Sequence, residues 1–295
     1  MSRPTSLALP PNATPCALRT SRGEFAVVDA VPAARERGAA LLVPGYTGSK
    51  EDFLDLLAPL TAAGFRVVAV DGRGQHETPG PRDEAAYAQK ELAADVRAVA
   101  DALGVRPLHV LGHSLGGHIV RAAVLEEGGG AGPWASLTLM SSGPAAVCAE
   151  QQVRTRMAVD FLPTTDMESA WQAMRAMDAE NGARPELPSW LEEFLHRRWV
   201  TTVPEQLIAT ARQLMTEPDR VGELAAVPLP KLVLSGEVDY AWPVAWMDEM
   251  AVRLDARRVV IEGAGHSPNA ERPAETAAAL IAFWNGASRR PPAGS

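Results

Sequence analysis

Pro107-Leu108-His109-Val110-Leu111-Gly112-His113-Ser114-Leu115-Gly116 is the stretch that decides how this chain folds. Its first half is a short apolar run of the kind a buried strand uses. From Gly117, the residues His118-Ile119-Val120-Arg121-Ala122-Ala123-Val124-Leu125 read as a helix. Ser114 stands at the junction, with a glycine two positions away on each side. A strand that turns at once into a helix leaves no room for side chains at Gly112 and Gly116, so glycine is a steric requirement at both. The strained apex residue projects its side chain outward, and the helix N-terminus behind it favours negative charge developing there. A serine so placed fits a nucleophile elbow.

Outward from the elbow, strand and helix patterns alternate. Glu24 to Val31 reads as a strand, in a hairpin with the segment after Cys16, and Ala39 to Val43 as a buried strand ending at Pro44-Gly45. Ser49 has the features of a helix N-cap with Asp52 in the capping-box position, followed by Phe53, Leu56, Leu57 and Leu60 on one face. Phe65 to Val70 is a strand closed by Asp71, Asp83 to Leu103 a long helix, and Leu137 to Met140 a strand. Alternation stops between Pro144 and Leu224, where only helical patterns occur. It resumes with strand Lys231 to Leu234, helix Pro243 to Leu254, strand Arg258 to Ile261 and helix Pro273 to Trp284.

The pattern predicts an α/β fold, a doubly wound, mostly parallel sheet, with residues 21–143 and 225–286 as its core. Residues 1–20 and 287–295 are expected to be tails, and 144–224 a helical cap over the strand ends, where open sheets place their ligands. Flexible Met and large aromatic side chains suit an adaptable apolar pocket wall, so Met157, Trp171, Met174 and Trp199 are candidate lining residues. The competing reading is that they join the cap helices to one another.

At 295 residues, 46% hydrophobic and 22% charged, the chain can bury a sizeable core. Its formal net charge of -8 opposes binding to nucleic acid or an anionic membrane surface. No run has the apolar length of a membrane span, and the proline-rich start lacks the apolar region of a secretory signal. Two cysteines, Cys16 and Cys148, make no disulfide framework. These features predict a cytoplasmic protein with no nucleic-acid or membrane partner, and the Ala, Arg, Gly and Pro bias with few Lys suggests a bacterial source. Nothing in the sequence specifies an oligomeric state.

A serine hydroxyl needs a base, itself oriented by a third group. His266 lies in Gly263-Ala264-Gly265-His266-Ser267-Pro268, a Gly-flanked loop at the carboxyl end of the last strand, the edge where Ser114 sits. His113 is expected to pack under the elbow, and His109, His118 and His196 to be structural. Asp239, in Gly236-Glu237-Val238-Asp239-Tyr240, falls at the carboxyl end of the preceding strand, where it can accept the other ring N–H of His266. Glu237 is its nearest rival.

The order Ser114, Asp239, His266 is the chain order of the α/β-hydrolases, and from about Phe25 to Trp284 the sequence resembles that superfamily. The resemblance implies an oxyanion hole in Pro44-Gly45-Tyr46-Thr47-Gly48-Ser49, similar to the family's H-G-x-x-G-S loop, with the backbone N–H groups of Tyr46 and Leu115 as donors. Pro44 replaces the usual His. Asp71-Gly72-Arg73-Gly74-Gln75-His76 resembles the D-x-R-G-x-G loop that braces the site from below. His76 replaces a Gly there and is a candidate for the pocket mouth.

The resemblance implies a serine hydrolase acting on a carboxylic ester or thioester with an apolar acyl group, needing no metal or organic cofactor. C–C bond hydrolysis, proline-type aminopeptidase, perhydrolase or haloperoxidase activity, and acyl transfer to or from a carrier protein use the same triad. Haloalkane dehalogenases and epoxide hydrolases place Asp where Ser114 stands. A non-catalytic receptor is the reading from outside enzymology.

Overall fold

The computed structural model describes residues 2–180 and 187–287. Its strands are β1 (Ala13–Thr20), β2 (Gly23–Ala30), β3 (Gly38–Val43), β4 (Phe65–Val70), β5 (Leu108–His113), β6 (Trp134–Met140), β7 (Lys231–Gly236) and β8 (Arg257–Ile261). They form one sheet in the order β1-β2-β4-β3-β5-β6-β7-β8. β1 and β2 pair antiparallel, as do β2 and β4, while every later pairing is parallel. This is the doubly wound, mostly parallel sheet the alternation predicts.

The helices are α1 (Leu54–Ala62), α2 (Gln89–Leu103), α3 (Leu115–Leu125), α4 (Ala149–Phe161), α5 (Met167–Glu180), α6 (Ser189–Thr201), α7 (Pro204–Thr216), α8 (Val221–Ala225), α9 (Val244–Arg253), α10 (Pro268–Glu271) and α11 (Pro273–Ala287). One face of the sheet buries side chains of α2, α3 and α9, among them Val96, Val99, Val120, Met247 and Met250. The other buries those of α1 and α11, including Leu56, Leu57, Leu60, Leu280 and Trp284. The central strand β5 is buried along its whole length, so its run of apolar residues shows no alternation.

Three expectations are corrected. The predicted helix from Asp83 to Leu103 is broken at Ala88, whose ψ of 144° leaves a short turn at Glu84–Tyr87 before α2 begins. Residues 13–20 are not tail but an edge strand, held by an eight-residue register to β2. The hairpin read for the segment after Cys16 is thus present, and it reaches back to Ala13 through side chains that are mostly exposed. Before it, the chain also packs: Pro4 is buried and Leu7 lies against the helical insertion. Prolines there exclude regular structure but not contact. Residues 288–295 of the expected C-terminal tail lie outside the described residues.

Helices α4 to α7 form the insertion between β6 and β7, with a core of its own that includes Trp171, Phe194, Leu195, Trp199 and Leu207. A buried ion pair at 2.5 Å joins Arg121 of the elbow helix α3 to Glu217 at the end of α7. Arg121 also donates to the Pro144 carbonyl at 2.7 Å, so the same guanidinium fastens both ends of the insertion to the core.

Candidate active site

Ser114 has φ 55° and ψ −120°, a left-handed conformation that costs a non-glycine residue about 1–3 kcal/mol. The surroundings hold it there. A Cβ on Gly112 would sit 2.2 Å from the Gly116 carbonyl oxygen, and one on Gly116 would sit 2.4 Å from that of Val43. Any side chain at either position would therefore push apart β3, β5 and α3. The Ser114 N–H donates to Met140 O at 2.8 Å, which ties the apex to β6.

His266 and Asp239 arrive on the loops after β8 and β7. His266 Nε2 lies 3.1 Å from Ser114 Oγ, and His266 Nδ1 lies 2.8 Å from Asp239 Oδ2. The second carboxylate oxygen, Oδ1, accepts the backbone N–H groups of Ala241 at 2.8 Å and Trp242 at 3.1 Å. Asp239 is thus fixed in orientation as well as position. Its rival Glu237 accepts the Gly263 N–H at 2.7 Å and so braces the histidine loop from its far side. The Tyr240 ring lies 4.5 Å from that of His266, and Trp242 stacks at 6.2 Å. These rings limit the imidazole's motion.

The loop after β3 turns tightly, Gly48 N–H donating to Gly45 O at 3.1 Å. A Cβ on Gly45 would be only 2.9 Å from that of Ser114, so the next peptide, carrying the Tyr46 N–H, runs directly beside the serine. Leu115 is the first residue of α3, and its N–H is free of intrahelical bonding. The Leu115 N–H and the Gly45–Tyr46 peptide thus lie on either hand of Ser114, where backbone donors can stabilise an oxyanion.

Four side chains support the site from neighbouring loops. Gln75, in the loop after β4, donates through Nε2 to Gly45 O at 2.9 Å. Asp71 accepts the Lys50 N–H at 2.7 Å and the Lys50 ammonium at 2.9 Å. Asp52 accepts the Ser49 N–H at 3.2 Å, closing the capping interaction, and takes Arg198 Nη1 of α6 at 2.7 Å. His113 does not merely pack: its Nε2–H donates to the His266 carbonyl at 2.8 Å, joining the elbow to the histidine loop. Burial pushes His113 down to about 4, which keeps it neutral. The capping pair Ser49 and Asp52 and the bracing loop of Asp71 carried a sequence signal, and the contacts of Gln75 and His113 did not. Arg73 forks Asp95 at 2.6 and 2.5 Å beneath the site, the bracing expected of its loop.

A cavity of about 50 Å³ opens at Ser114, with Ser2, Tyr46, Val147, Gln151, Leu214 and Trp242 among its walls. The five candidate pocket residues are not among them, and that expectation is corrected. Trp171 and Trp199 belong to the insertion's own core, Trp199 Nε1 donating to Met167 O at 2.9 Å. Met174 packs against that core, and Met157 is 47% exposed on α4. His76 is buried beneath α6, with Nδ1 2.9 Å from Thr201 Oγ1 and its ring edge-on to Phe194. Its φ of 43° is in the left-handed region.

His118 on α3 is buried behind the elbow, its Nε2 3.3 Å from Gly143 O, and burial lowers its proton affinity well below the ordinary value. In the folded protein it stays neutral, while the unfolded chain binds a proton below about pH 6.5, so its contribution to stability is lost as the pH falls through that value. Between pH 6 and 5, His118→Gln should flatten the decline of unfolding free energy by about 1 kcal/mol per pH unit. Urea titrations at each pH measure this, and equal slopes in both proteins would contradict it.

Among the described residues no group of His, Cys, Asp or Glu could hold a metal ion, and no helix is long and apolar enough to cross a membrane.

A fold of this order carrying a serine at the β5–α3 turn defines a class, and sequence comparison agrees with it. The model of the alpha/beta hydrolase family matches residues 40–279, and the chain belongs to that family of hydrolases. It is 26% identical to epoxide hydrolase A of Mycobacterium tuberculosis over an alignment of 304 positions, covering 87% of this chain and 94% of that one. Epoxide hydrolase B of the same organism is 35% identical over 91 residues, a stretch covering 31% of this chain and 25% of that protein. Among solved structures, an esterase from Exiguobacterium antarcticum superposes with a TM-score of 0.74 at 20% identity, over 92% of this chain and 100% of that one. That likeness concerns the fold.

Proposed function

We propose that this hydrolase cleaves a carboxylic ester or thioester through an acyl-enzyme on Ser114. The observation that carries this reading is the relay Ser114 Oγ, His266, Asp239 at 3.1 and 2.8 Å. His266 Nε2 takes the hydroxyl proton as Oγ adds to the carbonyl carbon. Asp239 Oδ2 keeps the proton on Nδ1 and stabilises the imidazolium that forms. Charge on the carbonyl oxygen falls between the Tyr46 and Leu115 N–H groups. The imidazolium then returns its proton to the leaving alkoxide or thiolate. Water, deprotonated by the same nitrogen, releases the acid and restores Ser114.

Ser114 at the elbow, where epoxide hydrolases of this superfamily carry Asp, favours this chemistry over epoxide opening. Tyr46, Val147, Leu214 and Trp242 give the acyl group apolar contacts. Helices α4 to α7 act as the cap in this reading. A cytoplasmic location is part of it, supported by two free cysteines.

A fluorophosphonate probe tests the proposal. Wild-type protein should be labelled at Ser114 and hydrolyse p-nitrophenyl and thioester substrates. Labelling of Ser114→Ala at the wild-type rate would refute it.

A further inference from the structure

The segment 2–9 reaches the catalytic centre, which no feature of its sequence announces. Ser2 is part of the cavity wall, in the same cavity as Ser114 and His266. Its carbonyl accepts Arg198 Nη2 at 2.7 Å, and Arg198 is itself 1% exposed, paired with Asp52 and lying 5.2 Å over the Phe194 ring. Two residues on, Pro4 is buried. Thr5 Oγ1 donates to Asp55 Oδ2 at 2.7 Å, and Leu7 packs against the insertion's core. The segment is thus fastened to the fold at three points, with Ser2 as its residue on the cavity wall. Ser2 Oγ is buried with no hydrogen-bond partner among the described residues, so a polar atom stands unspent at the wall.

With this wall in place the cavity is about 50 Å³, roughly a third of a cavity that takes up benzene. A space of that size beside Ser114 suits a short acyl chain best. We propose that residues 2–9 form a wall of the acyl pocket and set its upper size, making the enzyme selective for esters of short acids. The proposal rests on Ser114 as nucleophile and adds the substrate class. Arg198 acts here as a positioning residue: through one guanidinium it holds both the segment and the Asp52 turn that carries the oxyanion loop.

The segment can be removed without touching the sheet. Its hold on the fold resumes at residue 10, where Pro10 O accepts the Ala13 N–H at 2.9 Å and Asn12 Nδ2 donates to Val31 O at 2.7 Å. Deletion of 2–9 should raise the ratio of kcat/KM for p-nitrophenyl octanoate to that for the acetate by about tenfold or more. A deletion that stays folded, with an unchanged acyl-length profile, would overturn the wall. So would wild-type protein that hydrolyses octanoate as fast as acetate.

Should the deletion not fold, Ser2→Trp gives the converse test. It fills the cavity and should lower kcat/KM for the butyrate about tenfold with Tm unchanged. Undiminished butyrate hydrolysis in that variant counts against the wall as directly. Labelling by a small fluorophosphonate separates the two readings. Labelled variants with an unchanged profile overturn the wall alone, whereas a wild-type protein that resists labelling overturns the reading of Ser114 and the wall with it.

Discussion

Ser114→Ala leaves a folded protein whose ester hydrolysis is lowered by about 10⁵- to 10⁶-fold. The backbone features that shape the elbow survive the change. The N–H of residue 114 still donates to Met140 O, and the glycines whose Cβ positions are closed off by Gly116 O and Val43 O are untouched. Only the hydroxyl 3.1 Å from His266 Nε2 is lost. Because nucleophile and base act as one unit, His266→Ala should cost about as much, and the double variant little more than either. Residual turnover of Ser114→Ala within about a hundredfold of wild type would remove the serine from its role. Active-site titration and turnover of one ester by all three variants supply the measurement.

What the sequence disclosed and what it withheld divide along a physical line. Gly112 and Gly116 could be read because their requirement is local: a strand-to-helix turn forbids a Cβ whatever else the chain does. Ser49 and Asp52 could be read for the same reason, since a capping interaction spans three residues. The positions of Asp239 and His266 followed from loops at the carboxyl ends of neighbouring parallel strands, a consequence of topology. The cavity wall has no such local rule. Trp171 and Trp199 are apolar enough for a pocket, but whether such a ring faces a ligand or another helix depends on how four helices pack, and here they face each other.

Supports built from distant partners were equally hidden. Gln75 reaches Gly45, and Arg198 reaches Asp52 and Ser2, across separations that no periodicity encodes. His113 sits beside Ser114 in sequence, yet its partner is the carbonyl of His266 on another loop. The net charge of the chain likewise says nothing of Arg121 and Glu217, paired between the elbow helix and the end of the insertion.

Asp239→Asn should lower kcat by about 10⁴-fold while leaving the fold intact, because of how the carboxylate is held. Its Oδ1 accepts two backbone N–H groups, from Ala241 and Trp242. An amide at this position keeps those bonds only by placing its oxygen there, which turns its NH₂ group toward His266 Nδ1, 2.8 Å from the present Oδ2. That group donates, so Nδ1 must accept, and the ring proton moves to Nε2. An Nε2–H facing Ser114 Oγ cannot take the serine's proton. The imidazolium also loses the negative charge that stabilises it. Asp239→Ala removes the acid too, but it strands both backbone donors, a further cost of about 1–3 kcal/mol for each that remains buried. The pair of variants therefore separates two functions of one side chain. Equal loss of activity with a lower Tm only in Asp239→Ala is the expected result, and near-wild-type turnover in Asp239→Asn would show that the tautomer of His266 is set elsewhere.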